Sequence, residues 1–244
     1  MKGVILAGGL GTRLRPLTHV INKHLLPIYD QPMIHYPLQC LRNAGIDRIL
    51  IVTGGAHADD FRQLLGDGGN HGVAELQYAC QQGNGGIADA LSLAEPFCAG
   101  EKMCVILGDN LIEKNIRAAA SRFADQPVGA RLLLKQVSDP RRFGVARFEG
   151  DRLVEIIEKP DVPPSDWAVT GFYFYPPDVF DIGRSLRPSH RGELEITDVN
   201  NAYLQRGQCQ WEALDGWWAD AGTFESLHQA ACLVQRGGAN HLDL

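Results

Sequence analysis

Along the first 135 residues, short apolar runs alternate with amphipathic stretches, and this alternation restricts the fold more than any other feature of the chain. Residues 3–6, 48–53, 76–80, 103–107 and 130–135 read as strands, with helices expected over 33–44, 57–65, 87–97 and 116–123 between them. A strand–helix rhythm of this kind predicts an α/β fold with a Rossmann-like, mixed but mainly parallel sheet and helices on both faces. After Pro140 the pattern changes. Strands at 144–148 and 153–157 flank Gly150-Asp151, a hairpin signal, and a further strand follows at 168–175. Helices are expected over 195–205 and 223–234. No internal repeat or low-complexity linker interrupts the chain, so one domain is expected over 1–235. It is expected to divide into two parts, at about 1–110 and about 111–235. The polar, glycine-bearing tail 236–244 is expected to fray.

Composition narrows the function. Hydrophobic residues make up 45% of the chain and charged residues 21%, enough apolar chain for a sizeable core. The net charge of −6 argues against nucleic acid as a partner. The six cysteines are scattered with no C-x-x-C pair, so reduced thiols in the cytoplasm are expected rather than a disulfide framework. The histidines show no zinc-binding spacing. Neither a signal peptide nor a membrane span is legible.

The first strand runs into Leu6-Ala7-Gly8-Gly9-Leu10-Gly11-Thr12-Arg13-Leu14. Glycines let backbone N–H groups converge on an anion without obstruction by Cβ atoms. A P-loop is excluded because no lysine follows Gly11, and a dinucleotide fingerprint is disfavoured because Leu14 occupies the third glycine position. On spacing alone, a tight structural turn and a phosphate cradle stand equal. Arg13 and Lys23 favour the cradle, since a guanidinium fork and a mobile ammonium suit phosphate oxygens.

Gly8 to Thr18, Lys23 to Pro27 and Pro32-Met33-Ile34 together resemble the signature of the sugar-phosphate nucleotidyltransferases, a nucleotide-diphospho-sugar transferase fold. Within that family the chain is most similar to short glucose-1-phosphate thymidylyltransferases. The resemblance implies a nucleotide site formed by Leu6, Gly8, Gly9, Gly11, Thr12, Arg13, Lys23, Gln81 and Gly86. A carboxamide such as Gln81 offers a donor and an acceptor to a pyrimidine edge, but an amide free to flip does not separate thymine or uracil from cytosine. The resemblance further implies magnesium ligation by Asp109 and Asp220, the latter within Trp217-Trp218-Ala219-Asp220. On the sugar-phosphate side it implies Asn110, Gly144, Glu158, Lys159, Val169, Tyr173 and Arg191. Taken singly, Asp109 could cap an Asx turn and the Glu158-Lys159 pair could be solvated.

The expected activity is attack by a sugar 1-phosphate on the α-phosphorus of dTTP, or of another triphosphate, with release of pyrophosphate. Arg13, Lys23, Asp109, Lys159 and Asp220 are the expected catalytic residues and Mg2+ the expected cofactor. Uridylyl, cytidylyl or guanylyl transfer, or a non-catalytic sugar-nucleotide sensor, are the alternatives. Members of the family form symmetric oligomers, which implies a homo-oligomer here. Gln31 and Ala221 depart from the common pattern. The sequence also stops soon after the expected 223–234 helix, before the helical C-terminal extension of longer members, which leaves their feedback regulation open for this chain.

Overall fold

All five apolar runs of the first 135 residues fold as strands in the structure, a computed structural model that describes residues 1–242. In chain order the first half contains β1 (Lys2–Ala7), β2 (Pro27–Ile28), β3 (Gln31–Pro32), α1 (His35–Asn43), β4 (Arg48–Gly54), α2 (Ala58–Leu65) and β5 (Glu75–Gln81). It continues with α3 (Ile87–Ser92), α4 (Glu95–Cys98), β6 (Met103–Leu107) and β7 (Asn110–Ile112). The second half adds α5 (Arg117–Asp125), β8 (Ala130–Gln136), β9 (Gly144–Glu149), β10 (Arg152–Glu158), β11 (Trp167–Tyr175), α6 (Val179–Ser185) and α7 (Ile196–Gln205). Then come β12 (Cys209–Ala213), β13 (Trp218–Asp220) and α8 (Phe224–Gly237).

Among the described residues, nine strands form one mixed, mainly parallel sheet in the order β10-β9-β11-β6-β1-β4-β5, with β8 and β12 branching from β11. The half made of β6-β1-β4-β5 is wholly parallel. Strand side chains alternate between faces, and β1 shows the result. Val4 and Leu6 join one core beneath α3, α6 and α7, whereas Ile5 and Ala7 join the other beneath α1, α2 and α5. Covering both faces is what lets the central strands be continuously apolar. A third cluster seats α8 on β2 and β13 through Ile28, Tyr36, Ala221, Ala230 and Val234. Among the described residues no helix is long and apolar enough to cross a membrane.

β11 joins the halves. Its C-terminal residues Phe172–Tyr175 pair with β6, while Ala168 pairs with β9 on the same edge. The other edge pairs with β8, and the register shifts between Val169 and Tyr173. In that irregular stretch the Thr170 hydroxyl donates to the Leu133 carbonyl at 2.7 Å and the Gly171 N–H donates to Asn110 Oδ1 at 3.1 Å. A bulge of this type re-aims backbone toward a site.

The helix expected over 87–97 divides into α3 and α4. Pro96 lacks the N–H that would bond back to Ser92, and Ala94 N–H bonds instead to the Leu91 carbonyl, three residues back. The frayed tail expected from residue 236 is corrected over the described residues. α8 runs to Gly237, Asn240 is 3% exposed and its amide donates to the Tyr36 carbonyl at 2.9 Å, and the His241 N–H donates to the Glu113 carbonyl. Residues 243–244 lie outside the described residues.

Candidate active site

The carboxyl ends of the parallel strands open into a cleft of about 360 Å3, where open α/β sheets accept ligands. Of the expected residues, Leu6, Gly8, Gly9, Arg13, Lys23, Gln81, Gly86, Asp109, Asn110, Gly144, Glu158, Lys159, Val169, Tyr173, Arg191 and Asp220 line it. Gly11 and Thr12 do not. Gly11 has φ +61° and its carbonyl accepts the Thr18 hydroxyl at 2.7 Å, so it shapes the turn that returns the chain toward Lys23.

The two aspartates reach each other through backbone pairing. β7 and β13 are antiparallel with Asp220 opposite Asn110, and the Ala221 N–H donates to the Asp109 carbonyl at 2.9 Å. Lys23, on the short turn Lys23–Leu25, pairs its ammonium with Asp109 Oδ2. Asn22 caps that turn, its Oδ1 accepting from the His24 N–H at 2.9 Å and from His24 Nδ1 at 2.8 Å. Arg142 approaches Asp220 Oδ2 at 3.4 Å. Arg13 and Asp220 converge above Gly222, where a Cβ would stand 2.9 Å from Arg13 Nη2 and 2.9 Å from Asp220 Oδ1.

Electrostatics separate the pair. Burial raises the pKa of Asp109, but the Lys23 ammonium and hydrogen bonds from Lys23 and Asn110 outweigh it, and the carboxyl is held well below the usual range. Burial, then the Asp109 charge, pushes Asp220 upward against the opposing pull of Lys23, Arg142 and Arg13. Burial and the neighbouring Lys23 ammonium lower His24 to about 3, so its imidazole is neutral near neutral pH. Among the described residues no cluster of three or more His, Cys, Asp or Glu could hold a metal. The donor set here is two carboxylates far apart in sequence, hard oxygen ligands of the number that Mg2+ takes when phosphates and water complete its shell.

Asn110 faces the cleft with its carboxamide already engaged. Its Oδ1 accepts from Trp218 Nε1 at 2.6 Å and from Gly171 N–H, and its Nδ2 donates to Asp109 Oδ1 at 3.1 Å. Asn110 thus lines the cleft as expected and also orients the Asp109 carboxylate.

On the opposite wall, Glu158 ends β10. Its Oε2 accepts the Thr197 hydroxyl at 2.6 Å and its Oε1 pairs with Lys159 Nζ at 2.7 Å. Lys159 has φ +43°, an unfavourable region for a side chain, kept by an N–H bond to the Phe143 carbonyl at 2.9 Å. Arg191 pairs with Glu195 at 2.7 Å and lies 3.5 Å from Glu158. Tyr173 is buried, and that burial, followed by the charges of Glu158, Asp109 and Asp220, raises its phenol far above the usual value, leaving a protonated hydroxyl.

Gln81 ends β5, and its Oε1 would meet a Cβ at Gly8 at 2.8 Å, so the glycine-rich loop and the carboxamide are in contact. Gly86 has φ +94°, and a Cβ there would lie 2.6 Å from the Leu194 carbonyl. Among the cleft residues that the sequence reading did not name as site residues are His24, Arg142, Thr197 and Trp218. Of these four, only Trp218, beside Asp220 in a short aromatic run, carried a local signal.

The nucleotidyl transferase family profile matches residues 2–237. Over 239 residues the chain is 46% identical to a glucose-1-phosphate thymidylyltransferase of Neisseria meningitidis, covering 96% of this chain and 83% of that protein. It is 45% identical to one from Actinoplanes, covering 96% and 78%. A Bacillus anthracis chain assigned as a glucose-1-phosphate thymidylyltransferase, solved with sucrose, superposes with a TM-score of 0.93 at 48% identity, covering 96% of this chain and 95% of that one. A UDP-glucose pyrophosphorylase complexed with UDP-glucose gives 0.85 at 25% identity, covering 96% and 98%. With its site residues gathered at the end of this sheet, the chain belongs to the nucleotidyl transferase family.

Proposed function

We propose that the protein transfers a thymidylyl group from dTTP to glucose 1-phosphate, giving dTDP-glucose and pyrophosphate, with Mg2+ held by Asp109 and Asp220. The observation that carries the reading is the Asp109–Asp220 pair, set between the Arg13–Lys23 loop and the Lys159–Arg191 wall of one cleft. The thymidylyl and glucosyl identities are supported by the relatives that carry those names.

The reaction joins two polyanions, so alignment and charge neutralisation contribute more than a protein nucleophile. The sugar-phosphate oxygen attacks the α-phosphorus as the bond to pyrophosphate breaks on the far side. Arg13 and Lys23 neutralise charge on the triphosphate, and Lys159 with Arg191 holds the attacking phosphate. Glu158, fixed by the Thr197 hydroxyl, accepts from sugar hydroxyls. Tyr173, protonated, lends a donor. When bound, Mg2+ supplies further charge neutralisation and orients phosphate oxygens.

Uridylyl transfer is the second reading, favoured by the likeness to UDP-glucose pyrophosphorylase. One assay tests both: pyrophosphate release with Mg2+ and glucose 1-phosphate, comparing dTTP, UTP, CTP, GTP and ATP. Release fastest with dTTP is expected. Faster release with UTP transfers the conclusion to the second reading, and no release with either overturns both.

A further inference from the structure

We propose that Asp89 fixes the orientation of the Gln81 carboxamide, so that the nucleotide site selects a base bearing N3–H, thymine or uracil, over cytosine. The inference rests on the proposed function only in placing the base at Gln81.

A glutamine amide reads a base edge with two unlike groups, and either can face the ligand unless the protein decides which. Here it decides. Gln81 Nε2 donates to Asp89 Oδ2 at 2.7 Å and to the Gly86 carbonyl at 3.1 Å. Neither partner is a donor, because the Gly86 carbonyl and the Asp89 carboxylate present acceptor oxygens. Turning the amide over would set Oε1 against both, so two attractive contacts would become two repulsive ones. Gln81 Oε1 is left beside Gly8, in the cleft lining and without a hydrogen-bond donor among the described residues. The site thus offers the base a fixed acceptor.

Thymine and uracil present a donor, N3–H, in the middle of the pairing edge. Cytosine presents a lone pair there. Its amine reaches Oε1 only if the base slides along that edge, away from the position set by ribose and triphosphate. The geometry of the latch is close: a Cβ at Gly85 would stand 2.5 Å from the Asp89 carboxyl, so glycine at 85 is what admits the carboxylate. Asp89 is a positioning residue, acting through Gln81 from α3.

The test compares kcat/KM for dTTP, UTP and CTP in the wild type, in Asp89→Asn and in Gly85→Ala, with glucose 1-phosphate saturating. The wild type is expected to favour dTTP and UTP over CTP by at least about tenfold, the scale of one buried hydrogen bond reversed. Asp89→Asn, whose amide presents either group, and Gly85→Ala, whose methyl displaces the carboxylate, are each expected to narrow that preference about tenfold. A merely structural role for Asp89 would lower all three triphosphates alike. Equal use of CTP by the wild type, or an unchanged preference in both variants, overturns the proposal while nucleotidyl transfer stands. If the wild type transfers nothing, calorimetric titration of the three triphosphates decides by the same ratios, and only the transfer reading falls.

Discussion

Lowering the pH from 6.5 to 4.5 should destabilise the substrate-free protein through His24, and the cause is legible at one nitrogen. The ring is 1% exposed, and Nδ1 donates to Asn22 Oδ1 at 2.8 Å. Nε2 faces Gly108, and the Lys23 ammonium is a neighbour. A second proton on this ring would be a buried charge beside another cation, so burial first and Lys23 second lower its pKa from 6.5 to about 3. In the unfolded chain the same imidazole titrates normally. Below 6.5 the unfolded state therefore takes up a proton that the native state refuses, and stability is lost as pH falls through the window down to about 3. Each pH unit in that window costs about 1.4 kcal/mol, so the fall to pH 4.5 costs about 2 kcal/mol from this residue. The assay is urea unfolding followed by tryptophan fluorescence at pH 6.5, 5.5 and 4.5 with a chelator present, for the wild type and His24→Asn. The asparagine amide retains a donor toward Asn22 and has no proton to gain. His35, whose pKa is also lowered by burial and by His71, stays in both proteins, so the difference between slopes isolates His24. The variant is expected to be less stable at pH 6.5 but to lose about 2 kcal/mol less on acidification. Parallel slopes would refute the assignment of a neutral, unprotonatable His24.

Other substitutions separate chemistry from stability. Asp220→Asn relieves a buried like-charge contact and should stabilise the metal-free protein by about 1 kcal/mol in thermal unfolding. The same change should cut pyrophosphate release at least about a hundredfold. Lys23→Ala should lower turnover about 100- to 1,000-fold while circular dichroism shows an intact fold. Trp218→Phe deletes the donor to Asn110 Oδ1 and should reduce kcat about tenfold through a less well-held Asp109, with KM values nearly unchanged.

Where local pattern decides structure, the sequence was sufficient. The apolar runs of β1, β4 and β6 declare strands because both of their faces are covered, and Gly150 marks the β9–β10 hairpin with φ +61°. The glycine-rich loop and its cations were legible because their chemistry is compressed into a few residues. β12 and β13 were not. β13 is three residues long, too short for any period, and exists because β7 lies across from it. Arg142 was hidden by its neighbour: Arg141 pairs with Asp139 in solvent while Arg142 turns into the cleft, and no local feature separates the two. Asn110 shows a different limit. Its position was anticipated, but its role depends on Gly171 and Trp218, which only the bulge in β11 and the ladder of β13 bring to it.

Four of the five Lys and Arg side chains that line the cleft do not wait for substrate as bare charges. Lys23 is matched to Asp109, Arg142 to Asp220, Lys159 to Glu158 and Arg191 to Glu195. In chromatographic terms the cleft is an exchanger already loaded with its own counter-ions, and an arriving phosphate displaces carboxylates as well as water. Added salt weakens the resident pairs along with the incoming ones. Triphosphate affinity should therefore fall less steeply with ionic strength than these four cations would impose on an open basic surface, and a protein of net charge −6 can gather two polyanions without a standing positive field.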